Sequence, residues 1–397
     1  PLRLVGSEMC IRDRIDTENR RHISYIEGKM TFMESERTRV ELEKVIRELD
    51  LDAILITDRY NMRYIASYRG EGVIFYTKDA KYVLTDSRYT EQVERECDGY
   101  ECIDIAGLGY AGNLNQLITT IKCSPEYTGS KVRVGFENLS ISYSDYDIYQ
   151  NKLDEVELVA IDGRLDSIRE IKTDDEIEKL RVAESIGDAA FKYILGFLKE
   201  GITEKEVALE LEYYMKKNGA EGLSFDTIAA SGRNSSMPHA IPSDKRLEAG
   251  DFLTMDFGCI YDGYCSDMTR TVAIGYASDS MRSVYDIVLR AQLESMKHIK
   301  AGALCNEVDA AARRVIADAG YGNCFGHGLG HSVGLFIHEN PRFSPKCNAL
   351  LKPGMVITVE PGIYIPGQFG VRIEDLVVVT EDGFVNLARS EKSLIIV

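Results

Sequence analysis

Short apolar runs alternate with helical patterns through the first part of the chain. Apolar positions three or four residues apart predict helices, and unbroken or alternating apolar runs predict strands. Two strand-like runs flank Lys78-Asp79, which predicts a hairpin. The predicted helices cover residues 34–48 and 113–122, and the predicted strands cover residues 53–57, 72–76, 81–85, 132–136 and 156–161. This alternation is typical of a small α/β domain.

The pattern changes after residue 161. Thr173 and Glu176 form the signature of a helix capping box, and Thr203 and Glu206 repeat it. Apolar residues recur at helical spacing behind both boxes and again later in the chain. The four helices are predicted over residues 173–201, 203–218, 280–300 and 306–319. Strand-like segments lie between and after these helices, so this part is predicted to be α+β.

The length of 397 residues favours two domains rather than one. Residues 4–14 resemble a translated sequencing adapter, so we expect the natural chain to begin at Met30 or Met33 and exclude the leader over residues 1–29 from the fold. The predicted organisation is a leader over residues 1–29, an amino-terminal domain over residues 30–161, a linker over residues 162–172 and a second domain over residues 173–397.

Composition and charge narrow the possible partners. The chain has 47 basic and 64 acidic residues, a formal charge of −17, which disfavours binding to nucleic acid or to an anionic membrane surface. No apolar run approaches the roughly 20 residues that span a bilayer. The nine cysteines are odd in number and scattered, and no secretory signal pattern is recognisable. We therefore expect reduced thiols and a cytoplasmic protein.

Candidate chemistry begins in the segment TMDFGCIYDGYCSDMTRTV at residues 254–272. Asp262-Gly263 is a strong signal for a two-residue hairpin turn. A hairpin closed there pairs position 256 with position 269, which places Asp256 and Asp267 on one face of the sheet as diagonal neighbours. Two converging carboxylates repel each other, so the sequence predicts a cation between them.

Further candidate ligands follow. The segment VITVEPGIYIPGQFGVRIED at residues 356–375 carries Glu360 and Glu374, and Arg372 lies on the same side of its strand as Glu374. The segment FGHGLGHSVGLFIHENP at residues 325–341 holds three of the six histidines, and a fourth, His239, lies in MPHAIP at residues 237–242. Each residue alone has a simpler structural explanation, such as a turn, a strand end or a core histidine. Their occurrence together in one chain favours a metal centre.

The ligand types indicate which metal to expect. Four carboxylates and one imidazole form an oxygen-rich site that suits Mn²⁺ or another borderline divalent ion, with Co²⁺ or Zn²⁺ as alternatives. Four negative charges balance two dications. Cys259, Cys265 and Cys324 are competing soft ligands, but no pair has zinc-finger spacing.

These motifs resemble the catalytic domain of the creatinase and methionine aminopeptidase superfamily, the pita-bread fold, in its proline-specific branch of Xaa-Pro aminopeptidases and prolidases. The resemblance covers residues 171–397, and residues 34–161 resemble that branch's creatinase-like α/β amino-terminal domain with less specific motifs. It implies a homodimeric metallo-exopeptidase in which the amino-terminal domain covers the cleft. The metal ligands that it implies are Asp256, Asp267, His331, Glu360 and Glu374, of which Asp267 and Glu374 would bridge two ions.

The resemblance also implies roles for further residues. His239 and His338 match the histidines that handle protons and orient substrate, and His327, Tyr364 and Arg372 match positions that support the site. We expect a metal-bridging hydroxide to attack the bond before proline, with Glu360 taking the proton. The expected substrates are Xaa-Pro dipeptides, or longer peptides with proline second. Arg372 is expected to pair with Glu374 or with the carboxylate of a short substrate.

Phe336 departs from the resemblance, because relatives commonly carry an acidic residue at this position. It lies next to the site, so its effect is expected on substrate preference rather than on the metal centre. Three alternatives stay open: a methionine aminopeptidase or broader aminopeptidase, a metal-free creatinase-type amidinohydrolase, and a non-catalytic interaction module. Retention of all five ligands disfavours the last two.

Overall fold

The computed structural model describes residues 36–397, so the expectations for the leader over residues 1–29 lie outside the described residues. The first part forms an α/β unit with six helices and six strands among the described residues. The helices are α1 (Glu36–Glu48), α2 (Arg59–Ala66), α3 (Thr90–Glu96), α4 (Gly109–Lys122), α5 (Tyr143–Lys152) and α6 (Arg164–Ile168). The strands are β1 (Ala53–Ile56), β2 (Val73–Thr77), β3 (Lys81–Thr85), β4 (Glu101–Asp104), β5 (Val132–Phe136) and β6 (Val156–Ala160).

The six strands form one mixed sheet in the order β4-β3-β2-β1-β5-β6. The predicted hairpin is β2–β3, and β1 pairs with β2 antiparallel and with β5 parallel. Because both faces of this sheet are covered, its central strands are almost continuously apolar. The prediction of a small α/β domain is confirmed.

The second part is built from two pairs of long helices and a set of strands. The helices are α7 (Asp174–Ile194), α8 (Glu204–Lys217), α9 (Asp279–Met296) and α10 (Cys305–Asp318), with short 3-10 turns at Gly232–Ser236 and Gly322–Cys324. The strands are β7 (Gly222–Leu223), β8 (Ile228–Ser231), β9 (Phe252–Phe257), β10 (Cys259–Tyr261), β11 (Tyr264–Cys265), β12 (Met268–Ala273), β13 (Gly330–Ser332), β14 (Glu339–Phe343), β15 (Val356–Val359), β16 (Gly362–Ile365), β17 (Phe369–Arg372), β18 (Asp375–Val379) and β19 (Phe384–Asn386).

Each helix pair covers its own group of strands. Helices α7 and α8 share a hydrophobic core with β9 and β12, in the sheet of order β12-β9-β8. Helices α9 and α10 share another core with β15 and β17 and with the sheet of order β14-β13-β15-β18-β19. Each group of strands thus has a pair of helices packed on it.

The predicted capping boxes are both present. Thr173 Oγ1 accepts from Glu176 N at 3.3 Å, and the Glu176 carboxylate accepts from Thr173 N at 2.8 Å. Helix α7 ends at Ile194, earlier than the predicted Gly201. The backbone around Gly196 forms hydrogen bonds between residues three apart, as in a 3-10 helix, and so departs from the α-helix. No helix of the described part is long and apolar enough to cross a membrane.

The segment predicted to be a linker, residues 162–172, contains α6. Leu165 and Ile168 of this helix are buried in the amino-terminal core. Arg63 of α2 lies 3.8 Å from the Asp262 carboxylate and 3.9 Å from that of Glu221, and therefore joins the two parts across their boundary. The amino-terminal unit consequently packs directly on the unit that carries the candidate site.

Candidate metal centre

The β9–β12 hairpin brings the first two acidic candidates together. Thr269 pairs with Asp256 and Tyr261 pairs with Tyr264, which is the predicted register. Asp262 and Gly263 both have positive φ values, 44° and 83°, as this turn requires. The local sequence therefore fixes which carboxylates face the site.

Glu374 joins these two residues from the chain between β17 and β18. Asp256, Asp267 and Glu374 each offer a carboxylate oxygen, and these oxygens all lie within 4.8 Å of one another. Burial, and after it the negative charges of Glu374 and Asp256, raise the pKa of Asp267 well above its ordinary value. Burial and the charges of Glu360 and Asp256 do the same to the pKa of Glu374.

His331 and Glu360 complete the expected set of ligands. His331 Nε2 lies 3.5 Å from Asp267 Oδ2 and 3.6 Å from Glu360 Oε1. Its Nδ1 lies 3.2 Å from the carbonyl oxygen of Ser332, which fixes the proton on Nδ1 and leaves Nε2 free to bind a metal. Burial, and after it the proximity of His338, lower the pKa of His331 to about 3, so the ring is neutral.

The strands that carry these two ligands approach unusually closely. His331 N donates to Thr358 Oγ1 at 3.1 Å, and Thr358 Oγ1 lies 3.3 Å from Glu360 Oε1. A Cβ atom at Gly330 would lie only 2.0 Å from the carbonyl oxygen of Thr358. The glycine before His331 is therefore required for this approach.

The residues fit a pair of divalent cations. Asp256 Oδ1 is buried without a hydrogen-bond partner among the described residues. Burial raises the pKa of Glu360 to about 8, with Arg372 opposing this effect and Asp256 adding to it. A buried anionic oxygen without a partner and several mutually repelling carboxylates are costly unless positive charge compensates them. The hard oxygen donors and one imidazole suit divalent ions.

Arg372 neutralises only part of this charge. Its guanidinium donates to Asp256 Oδ2 at 2.6 Å, to Tyr364 Oη at 2.8 Å and to Thr269 Oγ1 at 3.0 Å. The expected pairing of Arg372 with Glu374 is therefore wrong, because the guanidinium reaches across to Asp256 of the hairpin instead. Thr269 Oγ1 in turn donates to Glu374 Oε2 at 2.6 Å.

His327 and Tyr364 extend this network. His327 Nδ1 lies 2.8 Å from the carbonyl oxygen of Gly328, so its Nε2 accepts the hydrogen bond of 2.9 Å from the Tyr364 hydroxyl. Burial, and after it the charge of Arg372, lower the pKa of His327 to about 4, which keeps the ring neutral. The hydroxyl of buried Tyr364 thus donates a hydrogen bond to His327 and accepts one from Arg372.

A cavity of about 700 Å³ opens over the cluster. The exposed His239 and His338 both line it, and His338 also contacts His331, with ring centroids 4.5 Å apart. All four acidic ligands of the expected set, His331 and Arg372 line the same cavity. The structure therefore brings together the predicted site residues, with Tyr364 just behind the wall.

Three residues at the site were missed by the sequence analysis. Thr269 lies two positions from Asp267 on the same strand face, which was a usable signal. Gln292 of α9 is fully buried and donates from Nε2 to the carbonyl oxygens of Val359 and Ile373, at 3.2 and 3.3 Å. Arg342 is exposed and lines the cavity. No local pattern distinguishes Gln292 or Arg342 from ordinary helix and strand residues.

The cysteines considered as soft ligands lie elsewhere. Cys259 Sγ lies 3.4 Å from the carbonyl oxygen of Ala183 and Cys265 Sγ lies 3.7 Å from that of Leu335, both in buried surroundings. Burial raises the pKa of both thiols to about 12. All eight cysteines in the part of the chain that the structure describes are free thiols.

Comparisons with known proteins identify the family of the chain. Residues 178–381 match metallopeptidase family M24, and residues 39–171 match the creatinase/prolidase N-terminal domain. The chain is 44% identical over 357 residues to the uncharacterized peptidase YqhT of Bacillus subtilis, covering 90% of this chain and 99% of that protein.

Solved structures of similar proteins cover nearly the whole chain. An Xaa-Pro dipeptidase from Bacillus anthracis is 42% identical with a TM-score of 0.86, covering 91% of this chain and 99% of that one. An X-Pro aminopeptidase from Thermotoga maritima is 37% identical with a TM-score of 0.81, covering 89% and 100%. The chain belongs to metallopeptidase family M24, and the expected fold of a creatinase-like domain followed by a pita-bread domain is confirmed.

Proposed function

We propose that this member of metallopeptidase family M24 is an exopeptidase that cleaves the bond before proline, with Xaa-Pro dipeptides as its main substrates. The convergence of Asp256, Asp267 and Glu374 within 4.8 Å at the base of a cavity carries the proposal. The names of similar proteins, an Xaa-Pro dipeptidase and an X-Pro aminopeptidase, support the proline specificity. The second of these also favours longer Xaa-Pro peptides as an alternative substrate class.

The ligands that would hold two divalent cations are Asp256, Asp267, His331, Glu360 and Glu374. Such a pair of ions would lower the pKa of a water molecule and polarise the scissile carbonyl. We propose Mn²⁺, with Co²⁺ or Zn²⁺ as alternatives, on the basis of the oxygen-rich ligand set. Arg372 holds Asp256 Oδ2 in place, which leaves Oδ1 directed to an ion or to the free amino group of the substrate.

Proton handling falls to residues around the cluster. We propose that the carboxylate of Glu360, which bound cations would keep ionised, takes the proton of the attacking water. The rings of His338 and His239 line the cavity and would hydrogen-bond the developing oxyanion and the leaving proline. His327, Tyr364 and Arg372 would keep this wall of the site rigid through their hydrogen bonds.

The preference for dipeptides is supported by Arg342. This exposed guanidinium lines the cavity, and no carboxylate within the described residues lies in ion-pair distance of it. A cation without a protein partner at this position suits the carboxylate of a substrate that ends at proline. We further propose a cytoplasmic homodimer with no nucleic-acid or membrane partner, in keeping with the charge of −17.

Hydrolysis assays test this proposal. Metal-stripped protein is resupplied with Mn²⁺, Co²⁺ or Zn²⁺ and given Ala-Pro, Ala-Pro-Ala and Met-Ala. We expect metal-dependent cleavage of Ala-Pro, slower cleavage of Ala-Pro-Ala at its first bond, and little cleavage of Met-Ala. Preferred cleavage of Met-Ala would instead support a methionine aminopeptidase, and absence of turnover with two bound metals would support an interaction module.

A further inference from the structure

Phe336 lies next to the candidate site in sequence but not in the cavity above it. Its ring is absent from the lining of the large cavity above the metal ligands. It lines instead a second cavity of about 280 Å³ at the boundary of the two domains, together with Tyr60, Asn61 and Arg169. His338 lines both cavities, so its ring separates Phe336 from the substrate space.

A chain of aromatic rings leads from the amino-terminal domain to the metal ligands. The ring centroids of Tyr60 and Phe336 are 5.0 Å apart, and those of Phe336 and His338 are 6.0 Å apart with the planes at 82°. His338 then meets His331 at 4.5 Å and 72°. The two contacts of His338 are edge-to-face and the contact between Tyr60 and Phe336 is tilted at 40°, and all three centroid distances are those of favourable aromatic pairs.

The ring of His338 depends on these neighbours for its orientation. It has no hydrogen-bond partner among residues 36–397, and the residue as a whole is exposed. An exposed imidazole without a hydrogen bond is free to change its rotamer unless packing holds it. Phe336 and His331 are the two rings that pack against it.

The backbone next to His338 is anchored separately. The buried Glu339 carboxylate accepts from Phe336 N at 3.3 Å and from Lys172 Nζ at 2.9 Å, and it also pairs with Arg169. Arg169 Nε donates to Asn61 Oδ1 of α2 at 2.9 Å. The turn that carries Phe336 and His338 is therefore fastened to the helix that presents Tyr60, which keeps the ring chain in register.

We propose that Phe336, supported by Tyr60 of the amino-terminal domain, is a positioning residue that orients the imidazole of His338. This inference rests on the proposed function only for the catalytic role of His338. It assigns the amino-terminal domain a part in catalysis, because Tyr60 belongs to that domain and acts through Phe336. It also replaces the expectation that Phe336 alters substrate preference.

A double-mutant cycle tests the proposal in the metal-loaded enzyme. Phe336→Ala is expected to lower kcat by roughly 10- to 100-fold, the cost of a misplaced catalytic group, with KM and bound metal unchanged. In the His338→Ala background the same substitution should have almost no further effect, because contacting residues that act as a unit are not additive. Phe336→Tyr should restore most of the rate, since it keeps the ring.

Leu335→Ala is the matched control, because Leu335 is buried in the neighbouring core and lines neither cavity. Leu335→Ala should lower thermal stability. Any effect of this substitution on kcat should be the same with and without His338. An equal loss from Phe336→Ala with and without His338 would overturn the proposal. So would a change confined to KM, which would return Phe336 to a role in substrate preference.

A second measurement does not depend on activity. In metal-free protein with labelled histidines, the His338 resonance is identified by its loss in His338→Ala. Tyr60→Leu should shift this resonance and leave that of exposed His298 unchanged, although Tyr60 makes no ring contact with His338. An unshifted His338 resonance would refute the transmission from Tyr60. If the shift occurs but the wild type cleaves no Xaa-Pro peptide, the proposed function fails while the positioning role stands.

Discussion

Arg372 donates a hydrogen bond of 2.6 Å to Asp256 Oδ2, and the other carboxylate oxygen of Asp256 is buried without a hydrogen-bond partner in the described part of the chain. One oxygen is thus neutralised by the protein and the other is left for a cation. This arrangement explains why an arginine can lie beside a metal site without replacing the metal. The guanidinium is fully engaged by Asp256, Tyr364 and Thr269, so it cannot turn towards the remaining carboxylates.

Loss of a central carboxylate charge should remove the metal. Asp267→Asn or Glu374→Gln is expected to lower turnover by more than about 100-fold and to reduce bound metal, because each residue would bridge two ions. Elemental analysis alongside Ala-Pro hydrolysis measures both effects.

Glu204→Gln is the control, since this fully buried carboxylate accepts hydrogen bonds from Ser231, Asn234 and Ser243 rather than facing the cluster. Two metal equivalents with wild-type turnover in either ligand variant would show that the ligands are assigned wrongly.

Gln292 should set the spacing of two ligands. Its amide bonds the carbonyl oxygens of Val359 and Ile373, the residues directly before Glu360 and Glu374. Gln292→Leu is therefore expected to weaken metal affinity by roughly 10- to 100-fold, while excess metal restores much of kcat. Metal titration of activity gives the affinity.

Tyr285→Phe provides the comparison for Gln292. It removes a hydrogen bond from the same helix, from the hydroxyl to the carbonyl oxygen of Lys392, without touching either ligand strand. It should cost stability but not metal affinity. Equal metal affinity in both variants would mean that Gln292 only stabilises the core.

Arg342 should recognise the carboxylate of a dipeptide. Arg342→Ala is expected to raise KM for Ala-Pro by about tenfold or more, the loss of a charge-assisted hydrogen bond, and to leave kcat nearly unchanged. Steady-state kinetics with Ala-Pro and with Ala-Pro-amide separate the effects, because the amide has no charge for the guanidinium to meet. A similar KM increase for both substrates would argue that Arg342 shapes the cavity rather than binding the carboxylate.

Removal of metal should make stability depend on pH in a specific direction. The pKa of Glu360 is raised to about 8, and those of Asp267 and Glu374 are also raised, so the metal-free folded state binds protons more tightly than the unfolded state. Stability from these groups is complete below the unfolded pKa and is lost as pH rises through the folded pKa. The free energy of unfolding of metal-free protein should therefore fall between about pH 7 and about pH 8.

Urea unfolding of metal-free and metal-loaded protein at these pH values measures the difference. The lowered pKa values of His327 and His331 keep these two buried rings neutral in the folded state throughout this range. The cysteines and tyrosines are the same in the metal-loaded protein, so their contribution to the pH dependence is the same in both forms. The metal-loaded protein should show a smaller decrease in the free energy of unfolding, since bound ions keep the carboxylates ionised. An equal decrease in both forms would contradict the assignment of these carboxylates to the metal site.

The sequence by itself determined the features that depend on near neighbours. The capping box of Thr173 and Glu176 and the turn at Asp262-Gly263 follow from hydrogen bonds and φ preferences within a few residues. Because a strand alternates its side chains with a period of two, that turn also placed Asp256 and Asp267 on one face.

Only the tertiary structure decided which distant groups meet. Arg372 and Asp256 are 116 residues apart in the chain, and the sequence analysis expected Glu374 or a substrate carboxylate as the partner of Arg372 instead. Gln292 carries no local signal, because its contacts arise from the packing of α9 on two strands. Phe336 was recognisable only as a departure from the family resemblance, because its contact with Tyr60 arises from the packing of α2 on the second domain. Periodicity indicates that a side chain is buried, whereas its partners are set by how separate layers pack. Motifs and the family resemblance could therefore name candidate ligands, but the residues that contact and orient those candidates could not be identified from the chain alone.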